Sequence, residues 1–125
     1  MTKIETTNAP GAIGPYSQGM VSGKLVFTSG QIPLDPATGA IVGDTIEAQS
    51  EQALKNLQAV LEAGGASLQT VIKTTCFLAD MGDFAAFNAV YARFFTGDCP
   101  ARSCVAVKIL PKGVKVEVEA IAEVL

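Results

Sequence analysis

The chain reads as an α+β fold, a sheet with two amphipathic helices packed on one face. Three patterns say so. The closing runs Arg102–Ile109 and Val114–Val124 alternate along the chain with the two-residue period of a strand. Two separate stretches repeat apolar residues at helical spacing, and the element order is β-β-(β)-α-β-α-β-β. Helices that each follow strands and each carry one apolar stripe suit a sheet covered on a single side. The other side then needs a partner.

Taken in order, SQGMVSGKLVFTSGQ gives a hairpin, two β-rich runs around a Ser22-Gly23 turn. LDPATGAIVGD is dense in turn residues, with a short strand expected at Ala40–Val42. Asp44 and Glu47 have capping-box spacing and open a helix whose stripe is Ile46, Ala53, Leu54, Leu57, Val60 and Leu61; Gly64-Gly65 stops it. After a turn at Ser67–Thr70, VIKTTCFLA has the β-branched content of a strand. Asp83 is placed to cap a second helix carrying Phe84, Phe87, Val90, Tyr91 and Phe94, ending near Gly97. Leu110-Pro111-Lys112-Gly113 joins the two final runs.

The 125 residues fit one domain, 1–125, with no repeat and no low-complexity tract. Hydrophobic residues make up 49% and charged residues only 17%, more apolar material than one small chain easily hides, so a homo-oligomer is expected. A net charge of −3 with no basic run argues against nucleic acid. No apolar run reaches the roughly 20 residues of a membrane span. The polar, acidic start MTKIETTNAP lacks the apolar centre of a secretory signal, which points to the cytoplasm.

Chemistry is narrowed by what is missing. There is no histidine, and Cys76, Cys99 and Cys104 form no CxxC pattern, so neither a zinc site nor a disulfide framework is expected. Ser-His and Cys-His nucleophiles are excluded as well. Acid and base work must come from carboxylates, Tyr, Lys, Cys or water.

If the two final runs pair as a hairpin, their apolar sets lie on the same side, which fixes the parity of the register. A two- or a four-residue connection satisfies it, and Leu110–Gly113 offers either; a four-residue loop sets Cys104 opposite Glu119 and Ala106 opposite Glu117, with Arg102 near Ile121. Arg102, Cys104, Glu117 and Glu119 then share one face. That pattern by itself also fits a solvated face with weak surface ion pairs. A joint role for Arg102 and Glu117 falls if their side chains point to opposite sides of the sheet, or lie in open solvent far from any subunit contact.

Four segments carry a family resemblance: AIGPYSQ at Ala12–Gln18, TSGQIP at Thr28–Pro33, PARSCV at Pro100–Val105 and KVEVEAIA at Lys115–Ala122. Together, in this order and spacing, they resemble the Rid/YjgF family of reactive-intermediate (RidA-like) deaminases across essentially the whole chain. PARSCV is similar to the imine deaminase subgroup, whose Arg separates active deaminases from relatives lacking it. The resemblance implies a chorismate-mutase-like fold with a mainly antiparallel six-stranded sheet, assembled as a homotrimer with sites between subunits. It implies hydrolysis of 2-aminoacrylate, 2-aminocrotonate and their imine tautomers (2-iminopropanoate, 2-iminobutanoate) to 2-keto acids and ammonia, with neither metal nor organic cofactor.

Within it Arg102 is expected to grip the substrate carboxylate, because a guanidinium fork meets a carboxylate with two parallel bonds where Lys offers only charge. Glu117 is expected to serve as the base that directs water, with Glu119 behind it. Gly30 and Cys104 are expected to contact ligand through their backbone, Cys104 having a competing reading as a reactive thiol. Tyr16 and Ser29 are expected to line the pocket, and Asn88 to contribute from the second helix; Tyr16 equally fits a purely structural anchor. The partner implied is a small 2-imino or 2-keto acid. Alternatives are a keto-acid-binding, chaperone-like or regulatory protein, and a ribonuclease or translation inhibitor. Chorismate mutase itself is weak, since fold does not fix chemistry and this face offers too few cations for chorismate.

Overall fold

A computed structural model describes all residues, 1–125. The strands are β1 (Thr2–Ile4), β2 (Gly19–Ser22), β3 (Leu25–Thr28), β4 (Val71–Leu78), β5 (Ala101–Ala106) and β6 (Val116–Glu123). They form one sheet in the order β1-β2-β3-β6-β4-β5, in which only β4 and β5 run parallel. The α+β, mainly antiparallel reading is therefore correct. No helix is long and apolar enough to cross a membrane.

The helices are α1 (Ile46–Ala63) and α2 (Phe84–Phe94). In α1 the six stripe residues are all buried. Leu54, Leu57 and Leu61 meet Phe87 of α2 and Val116, Val118 and Ala122 of β6 in one continuous core. Each Leu, Val or Phe side chain fully buried here stabilises the fold by about 1.5–3 kcal/mol. Two buried amides on α1 tie in the long connection after β3. Asn56 Nδ2 donates to the carbonyls of Ile32 and Leu34, while Gln49 accepts from Lys115 N and donates to the Gly43 carbonyl.

Local signals were displaced by a residue or so. The β2–β3 loop is Gly23-Lys24, since Ser22 pairs with Leu25, and Gly23 takes the positive φ the turn needs. Thr45, rather than Asp44, caps α1 by accepting from Ala48 N. Asp83 stands at the start of α2 but makes no capping bond; Asp80 accepts from Gly82 N in the turn before it. Ala40–Val42 is not a strand, because only one bridge forms there, Leu34 with Ile41. The sixth strand is instead β1, three residues that carry too little pattern to be read alone.

The C-terminal hairpin does not exist. β4 lies between β5 and β6, so Cys104 is in register with Cys76 and Glu119 with Thr75. Residues in register share a sheet face. Arg102 therefore sits in a row with Thr74 and Ala120 on the helix-covered side, whereas Glu117 sits with Phe77 and Val105 on the open side. The expectation that Arg102, Cys104, Glu117 and Glu119 share a face is overturned. Its flaw was physical: it assumed that apolar character marks the helix side. The open side is apolar too, with Phe27, Phe77, Val105 and Ile121, and Val105, the large apolar residue of β5, belongs to it.

Candidate functional site

A cavity of about 510 Å³ opens beside β6 on the uncovered side of the sheet. It gathers Tyr16, Ser29, Gly30, Glu117 and Glu119 from the expected set, with Ile13, Thr28, Ile32 and Pro111. The sequence motifs explain the assembly. Gln18, itself buried, donates to the carbonyls of Thr6, Ala9 and Pro10 and accepts from Thr6 N, which holds the N-terminal segment in place. Ser29 Oγ donates to the Ser17 carbonyl at 2.6 Å, so the first two motifs are joined across the cavity wall. Gln31 exchanges both backbone hydrogen bonds with Val118 (2.8 and 3.0 Å) and thereby lays Gly30 against Glu117. A Cβ at position 30 would overlap the Glu117 carboxylate and come within 2.7 Å of its Cδ. Only glycine fits.

Tyr16 is half-exposed, and its hydroxyl accepts from Ile13 N at 3.3 Å, folding the ring over its own loop at the cavity mouth. Glu117 is half-buried. Burial raises its pKa above the usual carboxylate value, and the neighbouring charge of Glu119 raises it further. No protein donor offsets those two effects. A carboxylate left this way holds a proton more readily than a surface glutamate and is suited to proton transfer.

Arg102, Asn88 and Cys104 lie apart from that cavity. Arg102 Nη1 donates to Asn88 Oδ1 at 2.8 Å, and its Cζ stands 4.8 Å from the Tyr91 ring centroid, 5.5 Å from Phe84 and 6.0 Å from Phe87. No carboxylate pairs with it; the ion pairs of the chain join Lys3 to Glu5, and Lys55 and Arg93 to Glu51. Cys104 packs against the core beside it. Burial raises the Cys104 thiol pKa more than the nearby Arg102 lowers it, so the reactive-thiolate reading has no support. Cys76 is buried and pushed up to about 12. No cluster of three or more His, Cys, Asp or Glu is placed to hold a metal ion.

One chain therefore presents two separate features, a carboxylate cavity on the open face and a guanidinium without a carboxylate partner on the covered face at the sheet's edge strand. Arg102 and Glu117 point to opposite sides of the sheet, so the condition set on their joint role fails within a single chain. The residues missed in the cavity wall were in plain view. Ile13 lies inside AIGPYSQ, and Thr28 and Ile32 lie inside TSGQIP. Phe84, Phe87 and Tyr91, read only as the apolar stripe of the second helix, also line the guanidinium.

Residues 6–124 match the model of the family described as Endoribonuclease L-PSP. The chain belongs to this family, the Rid/YjgF proteins. Its Rid/YjgF relatives carry differing names. The 2-iminobutanoate/2-iminopropanoate deaminase of Salmonella typhimurium is 54% identical over 122 residues, covering 95% of this chain and 94% of that one. A Lactococcus lactis protein bearing a regulator's name, AldR, is 53% identical over 99% of this chain and 98% of its own length. The crystal structure of Escherichia coli TdcF with bound serine superposes with a TM-score of 0.94 at 50% identity, covering 98% of both chains.

Proposed function

We propose that this Rid/YjgF protein hydrolyses 2-imino acids and their enamine tautomers to 2-keto acids and ammonia, in sites completed between copies of the chain. The observation that carries the reading is Glu117, half-buried, without a protein donor and pressed against Gly30 in an open cavity. Arg102 supplies the complementary charge. It lies on the edge strand β5 with no carboxylate partner, where a neighbouring copy can bring its cavity alongside. The apolar open face of the sheet supports association of copies, and a homotrimer is the assembly that the family resemblance implies.

The chemistry needs little else. Arg102 binds the carboxylate of the imino acid and fixes the C=N carbon over Glu117. Glu117 takes a proton from water as its oxygen bonds to that carbon and the C=N electron pair moves to nitrogen. Glu117 returns that proton to nitrogen to give the carbinolamine, then moves the remaining hydroxyl proton to nitrogen as well, so that the C–N bond breaks as C=O forms and ammonia leaves with both protons of the water. An enamine first gains a proton at its terminal carbon to become the imine.

Generating 2-aminoacrylate with a serine dehydratase and following pyruvate release, with and without this protein, tests the reading. Glu117→Gln is expected to bind 2-keto acid with near-normal affinity while turnover falls about 10²–10⁴-fold. Unchanged turnover in that variant removes Glu117 from the mechanism. The bound serine in Escherichia coli TdcF favours a second reading, a small-acid-binding protein without turnover; there the wild type binds keto acid yet leaves pyruvate release unaccelerated.

The pH dependence has a definite sign. A base works ionised, so activity is lost as pH falls through the raised pKa of Glu117, and the acid limb of kcat/KM lies above that of an ordinary glutamate at about 4.3. Glu119→Gln removes the second cause of the rise and is expected to move this limb to lower pH. A limb that stays put, or moves up, contradicts the assignment of Glu117 as base.

A further inference from the structure

We infer that Tyr91 is a positioning residue for Arg102: its ring face supports the guanidinium, and its hydroxyl, held by Thr74, sets the plane in which the free donors meet a carboxylate. The inference rests on the proposed role of Arg102 and goes beyond it by naming what aims the cation.

Tyr91 has the ring nearest the guanidinium, at 4.8 Å. That ring has little freedom. Its hydroxyl shares a buried 2.8 Å hydrogen bond with Thr74 Oγ1, and two rings pack on it, Phe95 with centroids 4.5 Å apart and Phe87 with centroids 5.6 Å apart. Thr74 is also the residue in register with Arg102 across β4 and β5. A single backbone row therefore fixes both the root of the arginine and the anchor of the ring beneath its head. Asn88 lies one helical turn before Tyr91 and takes one donor of Arg102, so the same face of α2 supplies both contacts.

The kind of support matters. A π face attracts a cation without occupying its N–H groups and without neutralising its charge. A carboxylate in the same place would do both and would compete with the substrate. The guanidinium is thus held in orientation while its remaining donors stay free. Lysine could not exploit this arrangement, since it has no planar fork for the ring to align.

The test uses Tyr91→Leu, Tyr91→Phe, Thr74→Val and the double variant of the last two, read by imine turnover and by calorimetric titration with 2-oxobutyrate. Removing the ring in Tyr91→Leu is expected to raise KM and the keto-acid Kd about tenfold while kcat stays within about twofold, as loss of uniform carboxylate binding requires. Tyr91→Phe and Thr74→Val each delete the same hydrogen bond, so each is expected to raise both constants about threefold, with no further rise in the double variant. A purely structural role would lower Tm and leave KM and Kd unchanged. That outcome overturns the inference, and the hydroxyl pair decides it even where Tyr91→Leu fails to fold. Wild-type protein that binds 2-oxobutyrate but does not accelerate imine hydrolysis removes the deaminase reading instead; the Kd series still judges Tyr91.

Discussion

Arg102→Ala is expected to lower kcat/KM for imine hydrolysis by about 10²–10⁴-fold, because two charge-assisted hydrogen bonds of about 1.5–3 kcal/mol each are lost. The structure makes the effect direct. Arg102 has no carboxylate partner to be stranded by the change, and the only side-chain bond broken is that to Asn88. The loss should therefore appear in substrate handling more than in unfolding. Arg102→Lys separates charge from geometry. It keeps the positive charge but presents a point where the substrate needs a fork, so it is expected to recover only a small part of the lost rate. Steady-state kinetics with enzymatically generated 2-aminoacrylate, beside denaturant unfolding of the same variants, provides the measurement. If Arg102→Ala retains wild-type kcat/KM, the guanidinium has no part in recognition and the assignment of the site fails with it.

How much of this was legible in the sequence depended on whether the signal was local. The stripe of α1 was readable from Ile46 to Leu61 because helical spacing is set by the helix itself, whatever it packs against. The alternation in β5 and β6 was readable for the same reason. Which strand lies beside β6 was not, since a strand's sequence records its two faces but not its neighbours. β4 reaches β5 through the α2 crossover and enters the sheet between two runs adjacent in sequence, and nothing in Arg102–Ile109 or Val114–Val124 announces that. The error reversed the face of Arg102 relative to Glu117. The cavity residues fared better. Tyr16, Ser29, Gly30, Glu117 and Glu119 line one cavity because the Ser29 hydroxyl bonds the Ser17 carbonyl and Gln31 pairs with Val118, long-range ties that no local pattern announces and that only the motifs behind the family resemblance pointed to.

That reversal yields a sharper test of where the site is. Mixed oligomers of Arg102→Ala and Glu117→Gln chains are expected to regain activity that neither variant has alone. A between-copy site takes its carboxylate from one chain and its guanidinium from the next. With random equal mixing in a ring, about a quarter of such interfaces pair an intact Glu117 with an intact Arg102, so about a quarter of wild-type activity should return. A site confined to one chain predicts none, because every chain in the mixture lacks one of the two groups. Exchange of subunits is followed independently by a mass tag on one variant, and light scattering gives the number of copies. Thoroughly exchanged but inactive mixtures would contradict a shared site. The register already forbids Arg102 and Glu117 from meeting within one chain, so that result would leave only one of them, or neither, in the chemistry.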